Sequence, residues 1–203
     1  MIHTVIFDIG NVLVKFGWAE YFASFGYDEE TVKRLGDATV LGPHWKEYDL
    51  GNLTEEEVLA RFISYAPDLR EELTRTLSCY RGILTRLDYA IPWIKELHDK
   101  GLKVLYLSNF AQKALRECDD AMDFLPYMDG GIFSCRVHMI KPDPGIYKEL
   151  LSRYHLRAEE CVFLDDMPEN IKAAEALGIH GICFRSKEQA QAELAALLNN
   201  AQD

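Results

Sequence analysis

The chain opens on an apolar run, Val5-Ile6-Phe7, that stops at a single acid, Asp8. A turn dipeptide, Gly10-Asn11, follows, and then a second apolar run, Val12-Leu13-Val14. Short, β-branched or aromatic, and halted by turn chemistry, residues 2–7 predict a buried strand with Asp8 at its carboxyl end. After Lys15-Phe16 the period changes. Residues 18–80 hold no strand pattern and read as short helices, one opened by a capping box with Thr54 as N-cap and Glu57 three residues on. Gly42-Pro43, Asp49-Leu50-Gly51-Asn52 and Ala66-Pro67-Asp68 punctuate them.

From about residue 86 strand and helix patterns alternate. Strands are expected at 102–107, 131–135, 161–164 and 179–184, and helices at 89–100, 111–119, 144–155, 168–178 and 187–198. Strands separated by helices of this length imply right-handed crossovers and a parallel sheet. The expected fold is therefore α/β: a Rossmann-like parallel core made of residues 1–15 and 86–203, with a small inserted helical cap at 16–85.

Composition narrows the partners. With 22 Lys and Arg against 33 Asp and Glu, the formal charge is −11, which argues against a nucleic-acid surface. No apolar run reaches membrane-spanning length and no basic segment precedes one at the N-terminus. Five scattered cysteines, never in C-x-x-C spacing, read as core thiols of a reducing compartment. The expectation is a cytoplasmic monomer or homodimer that acts on a small molecule, with no membrane or nucleic-acid partner.

Four strands bring polar groups to their carboxyl ends or just beyond: Asp8, Ser108-Asn109, Lys141 and Asp165-Asp166. Each alone has an ordinary reading, as a turn acid, a helix cap or a solvated loop lysine. In a parallel sheet, however, those ends share one rim, where ligands bind. Together the groups suit phosphoryl transfer. A carboxylate attacks phosphorus, further acids bind Mg²⁺, which takes hard oxygen donors, and a lysine and a hydroxyl meet the phosphate.

The set Asp8-Ile9-Gly10-Asn11-Val12-Leu13, Leu107-Ser108-Asn109, Lys141-Pro142 and Phe163-Leu164-Asp165-Asp166 through Gly178-Ile179 resembles the haloacid dehalogenase superfamily. The helical segment looks like its cap. Phe7 to Val12 is similar to the branch that holds sugar-1-phosphate phosphatases and the phosphatase domain of soluble epoxide hydrolases. The resemblance implies Asp8 as nucleophile, Ser108 and Lys141 as phosphate binders, and Asn109 as a positioning residue that belongs with the substrate-binding set. It implies a Mg²⁺ held by Asp8, the Gly10 carbonyl and Asp166, with Asp165 acting through water. The substrate would be a small phosphorylated metabolite, with the cap choosing among such esters; His44, Trp45 and Tyr48 are its candidate contributors.

One position departs from the pattern. Phosphatases of this superfamily carry a second Asp two residues after the nucleophile, to protonate the leaving group and then activate water; here that residue is Gly10. A leaving group that needs little protonation, such as an anomeric sugar phosphate, an acyl phosphate or an aryl phosphate, would compensate, and sugar 1-phosphates are favoured. Alternatively another side chain substitutes, with Asn11 and His44 as candidates. Alkyl esters are then expected to turn over slowly and the phosphoenzyme to accumulate. Two other readings stand beside this one: a catalytically impaired phosphate-ester-binding protein, and a metal-independent 2-haloacid dehalogenase.

Overall fold

The computed structural model describes residues 1–199; residues 200–203, which end the expected core, lie outside them. Strand β1 (Thr4–Phe7) is buried along its length and leads through the Asp8 turn into β2 (Val14–Phe16). Five short helices follow: α1 (Trp18–Ala23), α2 (Glu29–Ala38), α3 (Trp45–Leu50), α4 (Glu55–Tyr65) and α5 (Arg70–Thr76). Strand β3 (Leu84–Arg86) then returns the chain, and α6 (Ala90–Asp99), β4 (Lys103–Ser108) and α7 (Gln112–Glu117) come next. The remainder runs β5 (Gly130–Phe133), α8 (Ser134–Val137), α9 (Pro144–Arg153), β6 (Cys161–Asp165), α10 (Pro168–Glu175), β7 (His180–Cys183) and α11 (Lys187–Asn199).

The main sheet is parallel in the order β5-β4-β1-β6-β7. The chain builds outward from β1 through β4 to β5, then crosses back to lay β6 and β7 on the other side. That reversal makes β1 the switch point, and the crevice at its carboxyl end is where such sheets bind ligands. Successive strand residues face opposite sides of a sheet. Accordingly Val5 and Phe7 join one apolar cluster, with Val104, Leu164, Trp93 and Leu97. Ile6 joins the other, with Leu105, Leu107, Phe163, Ile146 and Leu150. Burial on both faces explains why these strands read as unbroken apolar runs.

The expected elements occur in the expected order, with differences at their ends. The capping box is present: Glu57 N–H donates to Thr54 Oγ1 at 3.2 Å, and Thr54 N–H to Glu57 Oε2 at 2.8 Å. The strand expected at 131–135 stops at Phe133, because Ser134 and Cys135 turn into α8. The two-stranded antiparallel ribbon β2–β3, pairing Val14 with Arg86 and Phe16 with Leu84, was not foreseen. Three-residue strands carry too little alternation to register as a pattern. All five insertion helices lie between these two strands, and their interior (Phe22, Leu35, Phe62, Leu73) is continuous with the first apolar cluster. Among the described residues no helix is long and apolar enough to cross a membrane, and all five cysteines are free.

Candidate active site

Asp8 leaves β1 at the switch point and is held almost entirely through one of its two oxygens. Oδ1 accepts from Ile9 N–H at 2.7 Å and from Ser108 Oγ at 2.7 Å, and Lys141 Nζ lies 2.9 Å from it. No donor among the described residues engages Oδ2, so that oxygen keeps its lone pairs for chemistry. Burial pushes the Asp8 carboxyl up to about 6; Lys141 counters this, Asp165 adds to it, and Ser108 lowers it.

Lys141 is 2% exposed. Burial alone would strip its proton, but the charges of Asp8 and Asp165 outweigh that and raise its pKa, so it stays cationic. Its Nζ donates to Asp165 Oδ2 at 2.6 Å and lies 5.2 Å over the Phe163 ring. Lys141 lies beyond α8, in the loop before α9, rather than at the end of β5, so something must fix it. That is Asn109: Lys141 N–H donates to Asn109 Oδ1 at 2.8 Å, and Asn109 Nδ2 donates to Lys141 O at 3.0 Å.

The two acids that close β6 do different work. Asp165 is fully buried, and both its oxygens are satisfied from the protein: Oδ1 by Met167 N–H at 2.8 Å and Asn170 Nδ2 at 3.0 Å, Oδ2 by Lys141 and Asn170 Nδ2 at 3.0 Å. Asp166 is half-buried and takes only Asn11 Nδ2 at 3.1 Å. Burial raises its pKa, the Asn11 bond lowers it, and Asp165 raises it further. Asp8, Asp165 and Asp166 each present an oxygen within 4.8 Å of the others. Three carboxylates of hard oxygen donors around a single ammonium leave negative charge uncompensated, and that donor set fits a divalent cation such as Mg²⁺.

A cavity of about 80 Å³ adjoins this cluster, lined by Gly10 and Asn109 together with Phe16, Trp45, Tyr80, Phe110 and Leu84. The other expected residues are placed as follows. Asn109 lines the cavity, and both ends of its amide engage the Lys141 backbone, the arrangement expected of a positioning residue. Asn11 is likewise engaged, donating to Asp166 while its Oδ1 accepts from Phe16 N–H at 3.3 Å. His44 is not among the residues that line the cavity; its Nδ1 lies 3.2 Å from Glu47 Oε2 and its ring meets Tyr65 edge-on. Tyr48 is 6% exposed and packs against Trp45, Phe62 and Tyr80. Of the three cap candidates, Trp45 alone lines this cavity.

Two participants were missed in the sequence. Asn170 clamps Asp165, and its only sequence signal is its position one turn beyond that acid. Asp49 lines the same cavity as Gly10. It lies four residues after Trp45, a spacing that puts both on one helix face; an acid on the apolar face of a helix was the available signal.

A haloacid dehalogenase-like hydrolase family model matches residues 2–178. The chain is 33% identical over 214 residues to acyl-CoA dehydrogenase family member 10 of Mus musculus, covering 96% of this chain and 19% of that protein. It is 25% identical to a sesquiterpene phosphatase of Aspergillus oryzae, covering 87% of each. Two further relatives are matched over only 37% and 61% of their own lengths, so the chain spans less than two thirds of several curated relatives. A HAD family enzyme of Bacteroides thetaiotaomicron, solved with magnesium and inorganic phosphate, shares the fold at a TM-score of 0.70 and 20% identity, covering 92% of this chain and 96% of that one.

Proposed function

The chain belongs to the haloacid dehalogenase-like hydrolases, and from that premise we propose that it is a magnesium-dependent phosphomonoester hydrolase working through an aspartyl-phosphate on Asp8. The observation that carries this reading is the saturation of Asp8 Oδ1 by three donors, which leaves Oδ2 free beside a buried cation. Oδ2 attacks phosphorus, and Lys141 and Ser108 stay within reach to balance the charge that builds on the phosphoryl oxygens. Asp8, Asp166 and the carbonyl of Gly10 would hold the Mg²⁺, whose positive charge offsets the repulsion between carboxylate and phosphate. Asp165, saturated by protein donors, orients Lys141 and adds its charge from behind. An acidic cluster of this kind supports phosphoryl transfer over attack on a carbon–halogen bond, which has no use for a bound cation.

The cavity walls bear on the substrate. Apart from Asp49, Asn109 and Tyr80 they are apolar side chains or Gly10, so a polyol such as a sugar 1-phosphate finds few polar partners there. The substrate is a small phosphoric monoester with an apolar or aromatic organic group, a reading in keeping with the sesquiterpene phosphatase among the relatives.

The test is turnover of p-nitrophenyl phosphate and a sugar 1-phosphate by the purified chain, with Mg²⁺ and with EDTA, beside an Asp8→Asn control. Turnover that needs Mg²⁺, vanishes in the control and favours the aryl ester is expected. Undiminished activity in Asp8→Asn sinks the mechanism; a preference for the sugar phosphate sinks the substrate assignment.

A further inference from the structure

Gly10 stands where a proton-transfer acid is expected, and one other acid faces the same space. Asp49 lines the cavity with Gly10, is 8% exposed, and carries a carboxylate that accepts no hydrogen bond among the described residues. No buried side-chain oxygen among the described residues lacks a partner, so the Asp49 carboxylate opens onto the cavity, and its backbone is pinned from the core. Ser134 Oγ donates to Asp49 O at 2.6 Å while accepting from Phe110 N–H at 2.8 Å. His138 Nδ1 lies 3.0 Å from Leu50 O. Gly51 sits at φ +68, so close to Cys135 that a Cβ there would come within 2.8 Å of that residue's Cβ. These contacts fix the end of α3 against α8, and α8 follows β5 directly. The carboxylate is thereby carried to the rim by the core, although it belongs to the inserted helices.

We propose that Asp49 is the acid–base group of this site, replacing the acid that Gly10 lacks. The inference rests on the phosphatase reading. In the first half-reaction Asp8 Oδ2 bonds to phosphorus and the ester P–O bond breaks. The departing oxygen keeps the electron pair and takes the proton of the Asp49 carboxyl, so an alcohol leaves and Asp49 becomes a carboxylate. In the second, that carboxylate takes a proton from water as the water oxygen bonds to phosphorus. The P–O bond to Asp8 breaks, its electron pair returns to the Asp8 carboxylate, inorganic phosphate departs, and Asp49 is protonated again. Burial, then the charge of Asp8, push the Asp49 carboxyl up to about 7, against the pull of Lys141, which suits a group that must give and take a proton near neutrality. Tyr48, Tyr80 and Cys135 are the other titratable groups that feel it, all with pKa values raised by burial.

The experiment uses two esters of similar bulk, p-nitrophenyl phosphate, whose leaving group needs no proton, and benzyl phosphate, whose leaving group does. Asp49→Asn keeps the shape of the side chain and removes the acid. The double variant Asp49→Asn/Gly10→Asp restores an acid to the same cavity, at a position where an added Cβ meets no atom within 4 Å. Asp49→Asn is expected to lose ~10²–10⁴-fold in steady-state turnover of both esters. Rapid quench should then show a one-equivalent burst of p-nitrophenolate with phosphate trapped on Asp8, and no burst with benzyl phosphate. The double variant should regain at least tenfold and lose the burst. Turnover of benzyl phosphate by Asp49→Asn within a few-fold of the parent overturns the proposal. So does a loss with neither burst nor rescue, which is what a merely structural role produces. A parent chain that turns over neither ester overturns the phosphatase reading along with it, so the two failures are told apart.

Discussion

Replacing Asp49 by Asn should make the metal-free chain more stable in alkaline solution while disabling it. In the unfolded chain this carboxyl titrates near its ordinary value of 3.8; in the folded chain burial and the Asp8 charge hold its proton until about pH 7. Between those values the folded state binds the proton that the unfolded state has lost, so stability falls as pH rises, and above 7 the whole penalty is in place. A raised pKa of this size, at about 1.4 kcal/mol per unit, corresponds to about 4 kcal/mol at pH 8 and about 1.5 kcal/mol at pH 5. Asn has no proton to lose, so it escapes the penalty at both. Urea unfolding in EDTA at the two pH values measures the difference directly. Asp49→Asn should exceed the parent at pH 8, and the gap should shrink by more than half at pH 5. A variant less stable than the parent at pH 8, or a gain equal at both, refutes the electrostatic account. Stabilisation joined to loss of turnover is the pattern of a group kept in an unfavourable place for its chemistry.

Lys141→Met should act in the opposite direction. It leaves Asp8 and Asp165 facing each other without their shared cation, and the metal-free chain should lose about 3–5 kcal/mol in the same unfolding assay. Gly51→Ala places a methyl group on Cys135 at a left-handed φ. It should cost about 1–3 kcal/mol of stability and lower kcat by shifting Asp49, read from thermal melts and steady-state kinetics together.

What the sequence disclosed about this site follows from how each residue is placed. Asp8, Ser108 and Asp165 are set by strand ends, and a strand end is visible as the last residue of an apolar run. Their convergence then follows from parallel topology alone. Lys141 was visible by its chemistry, but its position depends on the Asn109 clamp, a pairing across 32 residues that no local pattern encodes. Asp49 was read as punctuation because Asp-Leu-Gly-Asn has the residues of a turn, and the Gly51 that follows it does end a helix in the left-handed region. What lifts the acid out of that role is a contact with Ser134, 85 residues away. The ring of His44, a candidate for the same role, meets Glu47 and Tyr65 instead.

The ribbon of β2 and β3 gives the inserted helices a particular kind of attachment. Its strands bond to each other through three residue pairs, so the chain enters and leaves the inserted helices through one joined ribbon, while α3 is anchored separately on α8. Phe16 and Leu84, a pair within that ribbon, are also walls of the cavity. Trimming either to admit a broader ester would loosen the ribbon in the same stroke, so pocket width and the anchorage of the insertion change together.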